Sequence, residues 1–185
     1  MIIGSDKAAV SHGLLGETFR NTIYPVEIGG RAYNVYDTIG LGEHSGGTVD
    51  NHKAVVNLYY LLVSLFNSGG VNLLVFVMKC GRVTETIQKN YELFYKIFCD
   101  SKVQIVIVVT GCENVEVAMD TWWTDNEPSF TKAGMTFAGH ACVCASKGAK
   151  IKGGGYRNED LVDQSVKKVK ELVVRHCMSN GWTQV

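Results

Sequence analysis

Residues 103–109, VQIVIVV, hold a single polar side chain, Gln104, among seven positions. A strand with one face in water alternates apolar and polar residues, and this run does not. Seven residues are also too few for a typical buried helix. The run therefore predicts a central parallel strand covered on both faces, which in turn demands helices above and below a sheet.

A second apolar stretch meets that demand. Residues 54–78, AVVNLYYLLVSLFNSGGVNLLVFVM, carry no charge over 25 positions, a length that could cross a bilayer. Asn67-Ser68-Gly69-Gly70 interrupts it, however, and would set a polar turn at mid-membrane depth where backbone groups find no water. The stretch is better read as a buried helix over 52–66, a stop, and a buried strand over 71–78. Ile87, Tyr91, Phe94 and Phe98 recur at helical spacing and predict an amphipathic helix over 84–98. Residues 117–134 predict one or two helices broken near Asn126-Glu127-Pro128, and 139–145 a short strand. Val162, Val166, Val169 and Val173 form the stripe of a last helix, with Lys167, Lys168 and Lys170 on a solvated face.

Ahead of these, TIYPVEI (22–28) and RAYNVY (31–36) are β-branched and aromatic segments joined by Gly29-Gly30, the strongest local hairpin signal. The order β-β-α-β-α-β-α-β-α describes one α/β sandwich. With 46% hydrophobic and 19% charged residues in 185, the chain has material for a single core that buries roughly 70% of its extended surface. Eighteen basic residues balance 18 acidic ones. That neutrality argues against a broad basic surface for nucleic acid or anionic lipid, while leaving room for a local patch.

The N-terminus MIIGSDKAAVSHG has no basic region followed by an apolar core, so no secretory leader and a cytoplasmic location are expected. The six cysteines are then expected as free thiols. His140, Cys142 and Cys144 alternate onto one strand face without a convergent fourth ligand, a poor metal site.

Tyr36-Asp37-Thr38-Ile39-Gly40 closes a strand and sets a carboxylate where open α/β sheets bind ligands. Asp37 could hold Mg2+ through water, and the Gly40 amide could sense a terminal phosphate, given a rigid strand before and a flexible loop (40–51) after. Thr18 could add a hydroxyl to the same ion. A serine hydrolase built on Ser45, His44 and Asp37 is a weaker reading, since no G-x-S-x-G elbow is present.

DTIGLGE, VQIVIVVTGCEN and TWWTDNEPSFTKAGMTFAGHAC together resemble the septin/AIG1-like (Toc34-related) branch of P-loop GTPases, and more closely a group of fungal proteins with a single small GTPase-like domain. The likeness covers nearly all of residues 1–176. It implies a three-layer α/β sandwich of the P-loop GTPase type, with a mostly parallel sheet and one antiparallel hairpin strand. It implies GTP or GDP with Mg2+ as ligands, the metal held by Thr18 and Asp37. Thr110, Gly111, Cys112 and Glu113 stand where such GTPases carry a Thr-Lys-x-Asp or Asn-Lys-x-Asp motif, with glycine replacing the lysine and glutamate the aspartate. Ala145-Ser146-Lys147 resembles the last guanine-contacting loop. The implied partners are a guanine nucleotide and, through the switch region, a second copy or another protein; neither nucleic acid nor a membrane is implied.

Two departures bear on mechanism. Leu41 follows Gly40 where Ras-like enzymes carry the water-orienting glutamine, so slow hydrolysis is expected unless Glu43, His44 or a partner completes the site. No G-x-x-x-x-G-K-[ST] motif occurs in the 185 residues. MIIG resembles the helix that follows that motif, which implies a single domain over 1–185 lacking the motif and the central strand before it. The strands ending at Asp37 and beginning at Val71 would then flank a gap. That gap could close by direct pairing, recruit Met1 to Gly4, accept a strand from another chain, or prevent stable folding. Function is accordingly expected as GTP binding with doubtful hydrolysis, or as a nucleotide-independent interaction domain or degenerate GTPase fragment.

Overall fold

The computed structural model describes residues 22–38, 48–115 and 118–183, with backbone alone at 22 and 48–54. Among the described residues five strands and four α-helices follow in chain order: β1 (Thr22–Ile28), β2 (Arg31–Asp37), α1 (Thr48–Asn67), β3 (Leu74–Lys79), α2 (Glu85–Tyr91), β4 (Ile105–Thr110), α3 (Thr121–Lys132), β5 (Gly139–Val143) and α4 (Glu159–His176). From Tyr91 the chain continues directly into a π-helical segment, Glu92–Phe98.

β3, β4 and β5 form a parallel sheet in that order, with β4 central. Every residue from Ile105 to Val109 is buried, as two covered faces require. Burying those five side chains contributes on the order of 10 kcal/mol before entropy is counted. Ile105, Ile107 and Val109 face a cluster with Met78, Tyr91, Trp123 and Phe130, drawn from β3, α2 and α3. Val106 and Val108 face the other way, onto Val169 and Leu172 of α4 with Ala141 and Val143. A third cluster joins Leu58 and Leu62 of α1 to Val71, Cys99 and Val103, with Trp182 packed against it. Trp182 and Val71 exchange backbone hydrogen bonds of 2.9 and 3.0 Å, which ties the C-terminal tail across the entrance to β3. Gly70 and Gly181 meet at this crossing, where a Cβ on Gly70 would stand 2.5 Å from the Trp182 carbonyl oxygen.

The predicted elements are present with adjusted limits. α1 begins at Thr48, so the loop expected through residue 51 gives way to helix four residues earlier. Pro128 does not break residues 117–134: α3 runs unbroken across it. A proline removes one helical hydrogen bond, but Trp123 and Phe130 stack on either side of it at 5.2 Å and hold both turns in the core. All six cysteines are free thiols. Among the described residues no helix is long and apolar enough to cross a membrane.

One expectation about the sheet is corrected. The hairpin does not continue the parallel sheet; β1 and β2 pair antiparallel as a separate two-stranded sheet. Direct pairing of the strands that flank the expected gap does not occur. Ile28 is the hairpin's buried hydrophobic residue, and Ile23 is 53% exposed. Val75 and Val77 of β3 are 39% and 61% exposed. By register they share a face with Val106 and Val108, but α4 covers only the β4 and β5 side of it.

Candidate functional site at the carboxyl end of the parallel sheet

The register aligns Lys79, Thr110 and Val143, so the loops after β4 and β5 leave the sheet side by side. Cys112 N–H donates to the Val143 carbonyl at 3.2 Å and carries the pairing one step beyond the strands. This is the end of an open α/β sheet where ligands bind. Glu113 follows directly. Its Oε2 atom is buried and has no hydrogen-bond partner. An unsatisfied buried carboxylate oxygen costs about 1–3 kcal/mol unless something fills its coordination.

Thiols surround that carboxylate. Burial pushes the Cys144 thiol above its ordinary pKa, and the charge of Glu113 and a hydrogen-bonding contact with its carboxylate add to the shift, so it is the Oε2 atom and not the whole carboxylate that lacks a partner. Cys80 is raised as well, first by burial, then by Cys112, and least by Glu113. The Cys144 thiol donates to the Ser146 carbonyl at 3.1 Å, and Asn158 Nδ2 donates to the same oxygen at 3.2 Å. Ser146 Oγ accepts from Gly148 N–H at 3.2 Å. Lys147 Nζ stands 3.8 Å from Glu159 Oε1 and 5.5 Å from the centre of the Tyr156 ring. The loop at 145–148 is thus held by a network of its own, beside the open carboxylate.

Gly111 occupies a conformation that favours glycine. Its φ of +79° is a left-handed conformation that a lysine resists, and the space a Cβ would take lies 3.4 Å from Lys79 Cγ and 3.6 Å from Lys79 Cε. The aliphatic stem of Lys79, from the neighbouring strand, therefore runs over this position. Nothing in a local reading signals such a substitution, because Lys79 is 32 residues away.

Among the sequence-predicted residues, Thr110, Glu113, Ser146 and Lys147 gather at this sheet end. The Thr110 hydroxyl donates to the Met78 carbonyl at 3.3 Å and so ties β4 to β3. Asp37 ends β2 in the other sheet, exposed, opposite Thr22. Thr18 and Gly40 lie outside the described residues, as do Leu41, Glu43, His44 and Ser45. Among the described residues no group of three His, Cys, Asp or Glu side chains converges as a metal site. His140 is instead stacked on Trp123 at 5.0 Å and 13°, and burial lowers its pKa.

A second network, around β5, is invisible at short range. Cys142 N–H donates to Asp120 Oδ1 at 3.2 Å, and Lys168 Nζ donates to Asp120 Oδ2 at 2.7 Å and to the Cys142 carbonyl at 3.3 Å. Cys144 N–H donates to Ser165 Oγ at 2.9 Å. Side chains from the start of α3 and from α4 therefore seal the outer edge of β5. Lys168 belongs to this seal and not to a solvated face; its side chain is 32% exposed.

No protein-family model matches this chain, and no characterised protein shows significant similarity to it.

Proposed function

We propose that the chain is a GTPase-like domain, a three-layer sandwich of the P-loop GTPase type, that recognises guanine nucleotides through the loops after β4 and β5. The buried, unpartnered Oε2 of Glu113 carries this reading. Guanine presents two adjacent donors, N1–H and the exocyclic amine, and an ionised carboxylate offers two adjacent acceptors. Adenine presents an acceptor at N1 and would leave the carboxylate unsatisfied, which is the most discriminating kind of mismatch. Lys79 and Lys147 would lay aliphatic stems along the purine, and the amides of the 145–148 loop would meet the base oxygen.

The residues described fit a guanine base but do not assemble a magnesium site, because Asp37 stands in the separate hairpin sheet. Bound Mg2+ would neutralise phosphate charge. Leu41 in place of a water-orienting side chain favours binding over turnover. The lack of a G-x-x-x-x-G-K-[ST] motif among the 185 residues favours the second reading, a nucleotide-independent interaction domain or degenerate GTPase fragment.

Calorimetric titration with GTP, GDP and ATP, with and without Mg2+, separates the two. Guanine-selective binding in the micromolar range supports the first, and no detectable binding up to millimolar nucleotide overturns it.

A further inference from the structure

Beyond the sheet end, residues 147–158 fold back on themselves as an ordered ribbon. Asn158 N–H donates to the Lys147 carbonyl at 3.0 Å, Arg157 N–H to Ala149 at 3.0 Å, and Ile151 N–H to Gly155 at 3.3 Å, around an antiparallel bridge between Lys150 and Tyr156. The ribbon holds Lys147, Lys150, Lys152 and Arg157 and no acidic residue. In a chain with no net charge this is a concentrated local patch. Its closing turn is Ile151-Lys152-Gly153-Gly154, in which Gly154 N–H donates to the Ile151 carbonyl at 3.2 Å, and Ile151 is 52% exposed.

We propose that this ribbon is a peripheral contact for anionic membrane surfaces, with Ile151 entering the interface and Lys150, Lys152 and Arg157 meeting lipid headgroup charge. An exposed isoleucine at the start of the closing turn, with a lysine on each side in sequence, matches the layering of a bilayer surface, apolar below and anionic above. A nucleic-acid surface fits less well. Tyr156, the ribbon's aromatic residue, has Lys147 and Lys150 ammonium groups 5.5 and 5.9 Å from its ring centre, so it offers no free platform for a base. Glu159 sits at the root of the ribbon, engaged with Lys147 and with the Tyr156 amide at 3.3 Å. Asp160 and Asp163, on the first turns of α4, also lie beyond the root, so contact is confined to the ribbon. Each cation near an anionic leaflet is worth about fivefold in partitioning, so attachment is reversible and falls steeply with salt.

The test is sedimentation of the full chain with vesicles of phosphatidylcholine alone or with 30% phosphatidylserine (roughly the anionic content of a cytoplasmic leaflet), at low and high salt. Binding is expected only with phosphatidylserine, and only at low salt. Lys152→Glu reverses one charge, a change of two, and is expected to weaken partitioning about 25-fold. Ile151→Ser should weaken it about fivefold with the charge intact. Both positions are exposed, and an unchanged thermal midpoint verifies the fold of each variant. Lys147 is left untouched, so nucleotide titration of the same variants reads the guanine site separately. Equal binding to both vesicle types, no binding at low salt, or retention by single-stranded RNA or polyglutamate with none by vesicles would overturn the proposal.

Discussion

Asp120→Ala removes the acceptor that closes the outer edge of β5. Its carboxylate receives Cys142 N–H at 3.2 Å and Lys168 Nζ at 2.7 Å, while the Asp120 side chain makes no capping bond to α3. Cys142 is fully buried, so its amide would be left without a partner, at about 1–3 kcal/mol. The ion pair adds little: the two side chains are 32% and 48% exposed, and solvent screening holds such a pair to about 0.5 kcal/mol. The sum is about 1.5–3.5 kcal/mol. In a chain of this size that lowers the thermal midpoint by roughly 3–14 °C. Asp120→Asn keeps an acceptor and gives up the charge, so it should cost no more than about 1 kcal/mol. Urea unfolding of wild type, both variants, Lys168→Met and the Asp120→Ala/Lys168→Met pair supplies the numbers, with a coupling of about 0.5–1 kcal/mol expected from the double mutant. An Asp120→Ala variant within 0.5 kcal/mol of wild type (the usual surface range), or an Asp120→Asn variant as unstable as Asp120→Ala, would refute the edge-sealing argument.

Gly181→Ala should destabilise by about 1–3 kcal/mol in thermal melts, because the added Cβ would collide with the Gly69 carbonyl and stand 2.8 Å from the Gly70 carbonyl carbon, with no flexible side chain to yield. Burial holds the Cys99 thiol up at about 11 against an ordinary 9.0. The unfolded thiol therefore ionises first, and the stability this group contributes is complete below pH 9 and lost as pH rises through 11. Wild type should surrender about 2–3 kcal/mol more than Cys99→Ala across that window in denaturant titrations. On β3, the amides of Leu74 and Cys80 donate to Gln104 and Thr110, so the even-numbered residues face β4 while Val75 and Val77 face away. Hydrogen exchange resolved by residue should find Val75 and Val77 at least about a hundredfold faster than Phe76 and Met78. Equal protection would mean that another strand covers this edge.

The parallel sheet and its helices were legible because they are written in local pattern. A seven-residue apolar run could become only a doubly covered strand, and Ile87, Tyr91 and Phe94 repeat at helical spacing. Pro128 misled the reading for a definite reason: local propensity signals a break, but the tertiary stacking of Trp123 on Phe130 outweighs one lost hydrogen bond. The seal on β5 was hidden because Asp120 and Lys168 are 48 positions apart and neither looks unusual in its own segment. Glu113, Ser146 and Lys147 follow from the resemblance of TGCE and Ala145-Ser146-Lys147 to guanine-contacting loops. The unpartnered Oε2 of Glu113 and the Lys79 stem over Gly111 depend on strand register, which no residue pattern reports. The separation of the hairpin from the parallel sheet is a matter of long-range pairing, which the strong local pattern of each strand does not report.

The guanine assignment is tested most directly by exchanging the acceptor it rests on. In Glu113→Gln, one carboxylate oxygen becomes an amide donor, which clashes with the guanine amine but matches the carbonyl oxygen at the same position of xanthine. Competition titrations with GTP and XTP should find wild type preferring GTP and Glu113→Gln weakened for GTP by at least about tenfold, with its preference moved toward XTP. Unchanged GTP affinity in Glu113→Gln, or equal affinity of wild type for the two nucleotides, would contradict the account.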